Sequence, residues 1–386
     1  MNNRNLLLLA IALLMFPQIA QTLYSPALGD IGRVFDVGPE AAAQTLSVYF
    51  LAFAVGVVVW GRLCDRIGRR PTMLAGLAIY ASATVIGLRV GSFTGLLAVQ
   101  AVAAFGAAVG SVVTQTVLRD RFKGAELAQV FSIMGIALAA SPAIGLFSGA
   151  SLVQAFGYRG VLGALLVLAV LLLLWSMYTL PETRPEQLPP VSLFETLGRM
   201  LRDLGIWRSA LWIASFNVAL FSYYSLAPFQ FQRLGLSDTL FGYSGVILAL
   251  GSGFGAWFNK RLLKAGVAAM QLIRLAAVSG LLGGLGVWWL QDSAAFVLPM
   301  LLIVLAFGMA IPNILGMALV DYSDRLGTAG ALLGLFYYLL IGAGLMLAGW
   351  SQALGETLIA CSALALLLTA GNSRSNRTST PSETLR

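Results

Sequence analysis

The chain has 386 residues, of which 59% are hydrophobic and only 10% are charged. Its mean hydropathy of +0.85 is far above that of a water-soluble globular domain. This composition excludes an ordinary soluble protein and indicates a protein of the lipid bilayer.

Long apolar runs recur along the chain and are separated by short polar turns. Each run is long enough to cross a hydrocarbon core of ~30 Å as a helix. Continuous runs of this length favour helices over the alternating strands of a membrane barrel. We therefore predict an all-α membrane protein with twelve transmembrane helices at about 6–28, 42–60, 72–90, 94–118, 127–152, 160–180, 208–231, 240–262, 268–290, 294–318, 330–350 and 354–371.

The longest internal polar segment falls after six predicted spans and divides the chain into two halves. Within it, Ser192 and Glu195 have the spacing of a capping box and predict an amphipathic helix. The predicted organisation is an N-terminal six-helix half at 1–180, a cytoplasmic linker at 181–207, a C-terminal six-helix half at 208–371 and a disordered cytoplasmic tail at 372–386.

The two halves share a weak internal repeat. The dipeptide Tyr24-Ser25 in the first span recurs as Tyr224-Ser225 in the seventh. Parallel repeats related by an axis normal to the membrane produce such matches. Arg4 before an apolar run also fits a cleaved signal peptide, but its removal would leave eleven spans and two unequal halves.

The net charge of +8 is distributed unevenly across the predicted membrane. All of the 24 basic residues except Arg33, Arg89, Arg159 and Arg233 fall on the side that holds both termini. By the positive-inside rule this side is the cytoplasm, and the location is the inner (plasma) membrane. The basicity reflects topology, so nucleic acid is not a predicted partner.

The sequence contains no pattern typical of a metal, nucleotide or catalytic site. It has no histidine, and its two cysteines, Cys64 and Cys361, lack the spacing of metal ligands. It also lacks the Gly-x-x-x-x-Gly-Lys-Ser/Thr loop that cradles phosphates. We predict a transporter that needs no cofactor, and neither an enzyme nor an ATP-driven pump on one chain.

The strongest motif is Gly61–Pro71 (GRLCDRIGRRP), which we interpret as a charged cytoplasmic loop after the second span. A carboxylate there can sit at the positive end of a neighbouring helix, and the arginines can pair with acids. The motif resembles, nearly residue for residue, the loop signature of the major facilitator superfamily. The resemblance implies a gate that latches the cytoplasmic side, formed by Gly61, Asp65, Arg66, Gly68, Arg69 and Arg70, with Arg119 and Asp120 nearby.

Further segments resemble the bicyclomycin- and chloramphenicol-resistance (Bcr/CflA) drug exporters of that superfamily. They are Tyr24–Leu28 (YSPAL), Leu118–Asp120, Ser141–Gly145 (SPAIG) and Phe156–Arg159 (FGYR). Pro142 and Gly145, together with Gly135 and Gly149, are similar to the exporters' antiporter motif and join the gating set. The resemblance implies two six-helix halves around a central cavity and efflux by alternating access.

Two departures from that family bear on proton coupling. Thr22 stands where relatives carry an acid in span one, and Gln100 stands where proton antiporters place a buried Arg. No carboxylate is predicted at the bilayer midplane. Asp30, near the outer end of span one, is therefore our candidate proton carrier, and an uncoupled facilitator or importer of a neutral or zwitterionic metabolite is the alternative.

Polar side chains inside the spans predict the substrate cavity, because a polar group that faces lipid is costly. The same groups can instead make interhelical hydrogen bonds. Without fixed charge, they favour a neutral or zwitterionic, partly apolar organic solute. The predicted substrate-binding residues are Gln18, Gln21, Thr22, Ser25, Gln100, Ser111, Thr114, Asn217, Tyr224, Tyr243, Asn313, Tyr337 and Tyr338.

Our functional prediction is a secondary active efflux transporter of a small organic solute, most simply a proton antiporter. Its predicted partners are that solute, protons and the lipid bilayer. We expect a monomer, since one chain forms a complete cavity.

Overall fold

The computed structural model describes residues 3–185 and 192–370. These residues form α-helices and short 3₁₀ turns, with no strand among them. The predicted disordered tail and residues 186–191 of the predicted linker lie outside the described residues, and the predicted boundaries of the halves stay a prediction.

Helices account for nearly all of the described chain, and most are long enough to cross a membrane. A 3₁₀ turn at Ser25–Ala27 joins the first two helices into one continuous span. The helices are α1 (Asn3–Tyr24), α2 (Leu28–Phe35), α3 (Pro39–Ile67), α4 (Arg69–Gly87), α5 (Phe93–Arg121), α6 (Gly124–Thr179), α7 (Leu193–Leu201), α8 (Leu204–Arg233), α9 (Asp238–Lys264), α10 (Ala269–Trp289), α11 (Val297–Ala318), α12 (Leu326–Ser351) and α13 (Leu354–Ala370).

The helices supply the twelve predicted spans. Nine helical segments of the described chain are long and apolar enough to cross a membrane. One of them, in α6, is two spans, because Gly157 (φ 64°, ψ −167°) breaks the helix. The remaining spans are α4, whose first turn carries two arginines, and α13, which has 17 residues. The predicted twelve-helix fold class is confirmed.

Several helices extend beyond the apolar runs, which corrects our interpretation of the charged motif. The predicted loop is helical on both sides, since α3 continues to Ile67 and α4 begins at Arg69, leaving only a turn at Gly68. Asp120 also lies within a helix, because α5 ends at Arg121. Hydropathy marks the hydrocarbon boundary, whereas a helix continues as long as its backbone bonds and terminal residues allow.

The linker helix α7 packs on the second half. Ser192 accepts a hydrogen bond from the backbone N–H of Glu195 at 3.3 Å, as the capping box predicts. The Glu195 carboxylate instead pairs with Arg325 at 2.9 Å. Met200 is buried in the core of the second half, so α7 is fixed to the helices that follow it.

The two ends of the helical bundle differ in charge. We call the end that carries Arg62, Arg66, Arg70 and Lys260 the basic face, and the end that carries Asp30 the opposite face. The halves meet mainly along two helix pairs, α3 with α12 and α6 with α9, and also where α2 and the Ser25–Ala27 turn contact α8. These pairs decide where the bundle is closed and where it is open.

The pair α3 and α12 is packed less tightly near the basic face than near the opposite face. The local clearance is the distance from a methyl group placed on a glycine of this contact to the nearest atom of the other half. From the opposite face to the basic face, the distances are 2.7 Å from Gly349 to Gln44, 2.6 Å from Gly342 to Leu51, 3.3 Å from Gly334 to Val57 and 3.9 Å from Gly61 to Ala331. The halves are therefore packed most tightly near the opposite face and more loosely toward the basic face.

The pair α6 and α9 behaves in the same way. Near the opposite face, a methyl on Gly242 would lie 2.9 Å from Ala150, and one on Gly245 would lie 2.6 Å from Leu146. Closer to the basic face, methyl groups on Gly253 and Gly135 would meet no described atom within 4 Å. Both helix pairs are thus packed tightly near the opposite face and have more free space toward the basic face.

Candidate functional site

Aromatic side chains from both halves meet about halfway along the interface between them. Phe50 of α3 lies 4.7 Å from Phe221 of α8 between ring centroids. Phe53 of α3 lies 4.9 Å from Tyr338 of α12, which is itself 4.4 Å from Tyr337. We call these five residues the aromatic cluster. Offset and edge-to-face ring pairs of this kind offer apolar area with specific geometry to a bound ring.

The aromatic cluster contains predicted and unpredicted residues. Tyr337 and Tyr338 were predicted from their hydroxyls, and both are only half-buried. Tyr224 lies beside the cluster, with its ring 5.9 Å from that of Phe221. Sequence reasoning missed Phe50 and Phe53, because Phe is ordinary in any apolar span. The proximity of α8 and α12 to these two rings becomes visible only in the folded chain.

Two predicted residues of the first half have buried polar atoms without a partner. The Gln21 side chain is 3% exposed, and its Nε2 has no hydrogen bond within the described residues. The same holds for the Thr114 hydroxyl in α5. Unpaired buried polar groups of this kind are costly to a folded protein. Gln100 is also buried, while Gln18 is half-buried.

Other predicted cavity residues contact neighbouring protein atoms. Thr22 donates to the Gln18 carbonyl at 2.8 Å and packs directly on Gly145 of α6. Ser111 accepts a hydrogen bond from Gln115 at 3.3 Å. Ser25 donates to the Tyr224 carbonyl in the other half. Each of these contacts is the interhelical or local hydrogen bonding that the sequence left open as an alternative.

The second-half candidates are dispersed. Asn217 donates to the Ile213 carbonyl of its own helix at 2.7 Å. Asn313 of α11 donates to the Asn259 side chain of α9, also at 2.7 Å, and both are buried. Tyr243 is 53% exposed and lies away from the aromatic cluster. The structure therefore gathers Tyr224, Tyr337 and Tyr338, whereas Tyr243 and Asn313 make their contacts elsewhere.

Tyr243 marks a second aromatic contact between the halves. Its ring centroid lies 5.5 Å from that of Phe147 in α6. Farther toward the opposite face, the Thr239 hydroxyl lies 3.4 Å from Oε1 of Gln154. A polar cleft of ≈ 510 Å³ lies just outside this contact, between Arg33 of the first half and Asp238 of the second.

Asp30, the candidate proton carrier, uses both carboxylate oxygens. Oδ1 pairs with Arg33 at 3.0 Å, and Oδ2 accepts a hydrogen bond from the backbone N–H of Tyr158 at 2.7 Å. This N–H follows the break at Gly157 and begins the sixth span, so Asp30 caps that helix. The side chain is 16% exposed. Its role as a proton carrier stays a prediction.

The charged motif is organised around Arg69, whose side chain is only 2% exposed. Its Nε pairs with Asp120 of α5 at 2.8 Å, and its Nη1 lies 3.3 Å from Asp65 of α3. The same nitrogen donates to the Cys64 carbonyl at 3.1 Å. One arginine thus ties α3, α4 and α5 together at the basic face.

Glu182, which sequence reasoning missed, completes this network. Its carboxylate accepts the backbone N–H groups of Arg69 at 2.9 Å and Arg70 at 3.2 Å, and so caps α4. Gly68 is required there, because its φ is 105° and a side chain would collide with Glu182. The sequence offered one signal for this role, because Glu182 is an acidic residue directly after the sixth predicted span.

The environment of Glu182 also affects its protonation. Partial burial acts to raise the pKa of the carboxyl, but the backbone donors at Arg69, Arg184, Arg70 and Thr183 outweigh burial and lower the pKa below its usual value. The carboxyl therefore stays ionised in this network at neutral pH.

The remaining gating candidates also contact their own half. Arg70 donates to the Met177 carbonyl at 2.7 Å, Arg119 lies over the Phe131 ring at 5.6 Å, and Arg66 is exposed. Asp65 makes no hydrogen bond to α12 among the described residues. The latch between halves that the family resemblance implies is thus not formed by Asp65 here, in agreement with the looser packing toward the basic face. The gating roles stay predictions.

The glycines of the predicted antiporter motif mediate close helix packing. Gly145 and Gly149 of α6 press against Thr22 and Leu23 of α1. Pro142 lies within the helix one turn before them. Small residues allow such close approach of membrane helices, and this contact lies within the first half.

Comparisons with known proteins agree with this architecture. The family model described as Major Facilitator Superfamily matches residues 8–371. The chain is 30% identical to an uncharacterized transporter of Rickettsia bellii, over 84% of each chain. It is 29% identical to multidrug resistance protein D of Escherichia coli, over 86% of this chain and 85% of the relative.

A chloramphenicol resistance protein of Pseudomonas aeruginosa is 28% identical, over 81% of this chain and 76% of the relative. Among solved structures, a D-xylose-proton symporter superposes with a TM-score of 0.76 at 15% identity, covering 96% of this chain and 97% of that one. The latter likeness shows the fold alone. The predicted resemblance to drug-resistance exporters is confirmed, and the protein is a transporter rather than an enzyme. The chain belongs to the Major Facilitator Superfamily.

Proposed function

We propose that this multi-pass membrane protein is a secondary active exporter of a small organic solute that works by alternating access. The observation that carries the proposal is the looser packing of the halves toward the basic face, where the distance from a methyl group placed on a glycine to the other half rises from 2.7 Å at Gly349 to 3.9 Å at Gly61. A bundle that is closed at one face and parted at the other is one of the two states that alternating access requires. The basic face would be cytoplasmic, at the plasma membrane, with both termini on that side.

The lining of the interface supports an uncharged or zwitterionic, partly apolar solute. The aromatic cluster provides apolar ring faces, while Gln21 and Thr114 provide buried polar atoms without protein partners. A pocket of this composition gives orientation through a few polar groups and affinity through apolar area. We propose that the solute lies between the cluster and these two side chains.

The direction of transport and its coupling rest on separate arguments. Relatives named for resistance to drugs support export toward the opposite face. Proton antiport through Asp30 is supported by the position of this carboxylate near the opposite face. Both of its oxygens already have partners, which are Arg33 and the Tyr158 N–H. An uncoupled facilitator or importer of a neutral metabolite is a second candidate, favoured by the missing charges at Thr22 and Gln100.

The test is efflux of a fluorescent, uncharged drug-like solute from vesicles, with and without an imposed proton gradient. Asp30→Asn removes the charge but leaves an oxygen that can still accept from Tyr158. Asp292→Asn is the matched control, since it removes the pairing with Arg233 on the same face.

Gradient-driven efflux that is lost in Asp30→Asn and kept in Asp292→Asn would support a proton antiporter. Wild-type flux that is the same with and without the proton gradient would contradict antiport and support the facilitator. No flux above that of empty vesicles with any of a panel of such solutes would contradict the proposed transport activity.

A further inference from the structure

The repeated dipeptide of the two halves occupies equivalent places in the structure. Ser25 lies in the 3₁₀ turn between α1 and α2, and Ser225 lies in α8, 200 positions later. Both serines are completely buried. Each lies in the first helix of its half, on the stretch that approaches the other half near the opposite face.

Each of these serines bonds to the backbone of the other half. The Ser25 hydroxyl donates to the carbonyl of Tyr224 in α8. The Ser225 hydroxyl donates to the carbonyl of Ala43 in α3 at 3.4 Å. Each half thus supplies one hydroxyl donor and one carbonyl acceptor, although the acceptors are not equivalent, since Tyr224 lies in the first span of its half and Ala43 in the second span of its half.

The surrounding contacts place both bonds in the closed gate. Gln44, adjacent to the acceptor Ala43, donates to the Met346 carbonyl of α12 at 3.2 Å. One turn beyond Ser25, Gly29 packs directly on Gln232 of α8. Rocking the halves apart at this face would break all of these contacts together.

We propose that Ser25 and Ser225 form a reciprocal hydroxyl latch that holds the opposite face closed. This inference rests on the alternating access proposed above, and it reassigns Ser25 from substrate contact to gating. The Ala43 carbonyl lies within α3, where the N–H of residue 47 can serve as its helical partner when the latch opens. The Tyr224 carbonyl has no such donor four residues on, because residue 228 of α8 is proline. A single interhelical bond of this kind is weak in a membrane protein, which suits a gate that must open in every cycle.

The latch can be tested by measuring the gate directly, independently of any substrate. Nitroxide labels at Val34 in α2 and Leu240 in α9, both exposed, report the distance between the halves at the opposite face. The background replaces Cys64 and Cys361 with alanine. The test variants are Ser25→Ala and Ser225→Ala, measured by pulsed electron spin resonance in nanodiscs.

Ser222→Ala is the matched control. Ser222 is equally buried on the same helix as Ser225, but its hydroxyl has no hydrogen bond within the described residues. The Ser222→Ala substitution removes a hydroxyl oxygen, as the latch variants do, but it breaks no hydrogen bond between the halves. Monodisperse elution and an unchanged melting temperature verify that each variant is folded.

The expected result is a roughly three-fold rise in the ratio of open to closed molecules for each latch variant, the effect of one average interhelical bond. The double variant should show a roughly nine-fold rise in the ratio of open to closed molecules, if the two bonds act independently. Should Ser25→Ala fail to fold, Ser225→Ala, whose bond is longer, tests the same proposal.

Distance distributions of Ser25→Ala and Ser225→Ala that match those of Ser222→Ala would overturn the latch. Because the readout needs no transport, the latch can fail while the proposed efflux stands. Conversely, a shifted gate in a protein without measurable efflux would contradict the proposed function and leave the latch supported.

Discussion

The basic face and the opposite face are held together by different kinds of interaction. At the basic face, Arg69 forms ion pairs with Asp65 and Asp120, all within one half. At the opposite face, Ser25, Ser225 and Gln44 join the two halves through uncharged donors and main-chain carbonyls. Contacts within a half persist through the transport cycle, whereas contacts between halves must break in each cycle. Strong contacts between charged groups therefore suit the interior of a half, and weak contacts between uncharged groups suit the interface between the halves.

Removal of Arg69 should have the largest effect on this comparison. Arg69→Ala leaves Asp120 without its buried partner, and loss of one member of a buried pair costs about 3 kcal/mol of unfolding free energy. Chemical denaturation in mild detergent measures the change. Arg66→Ala, an exposed neighbour, should be close to wild type. A small effect of Arg69→Ala would show that the charged network does not stabilise the first half.

Widening the closed contact should impair transport next most strongly. Gly342→Val in α12 places methyl groups where Leu51 of α3 already lies 2.6 Å from the first one. We expect the opposite face to be wedged open and efflux to fall at least about ten-fold, equivalent to ~1.4 kcal/mol. Gly253→Val is the control, since a methyl there meets no described atom within 4 Å. Equal efflux by both variants would contradict the closed contact.

Between the two faces, the aromatic cluster should determine apparent affinity. Tyr338→Ala removes a ring that lies 4.9 Å from Phe53 and 4.4 Å from Tyr337. A lost ring contact of about 1 kcal/mol would raise the KM of efflux about five-fold. Trp289→Ala, 80% exposed at the end of α10, controls for loss of an aromatic residue. An unchanged KM would place the solute elsewhere.

The smallest expected effect concerns Glu182 and is dependent on pH. The pKa of this carboxyl is lowered by four backbone donors despite partial burial, so its stabilisation is complete above its usual value of 4.5 and is lost as pH falls through the lowered pKa. Glu182→Gln should reduce the melting temperature at pH 7, and the difference should shrink below pH 4.5. Glu126→Gln, an exposed acid, should show neither change. A difference that grew on acidification would contradict the cap.

The helical architecture was predictable from the sequence, but the roles of individual polar residues were only partly so. Apolar runs located all twelve spans, because each span is set by its own local composition. The same reasoning grouped Thr22 and Ser25 with Gln21 as predicted cavity residues, since all three lie near one helical face. The fold separates them, because Thr22 packs on Gly145 and Ser25 bonds to α8.

By itself, the sequence determined the spans, the asymmetry of charge, the family resemblance and the Tyr-Ser repeat. Only the tertiary structure decided that Glu182 caps α4, that Phe50 meets Phe221, and that Ser25 and Ser225 face each other's half. The physical reason is the distance along the chain between the residues on which each property depends. Partition into lipid is a property of some twenty consecutive residues, whereas a hydrogen bond or a ring contact depends on atoms brought together from helices more than a hundred residues apart.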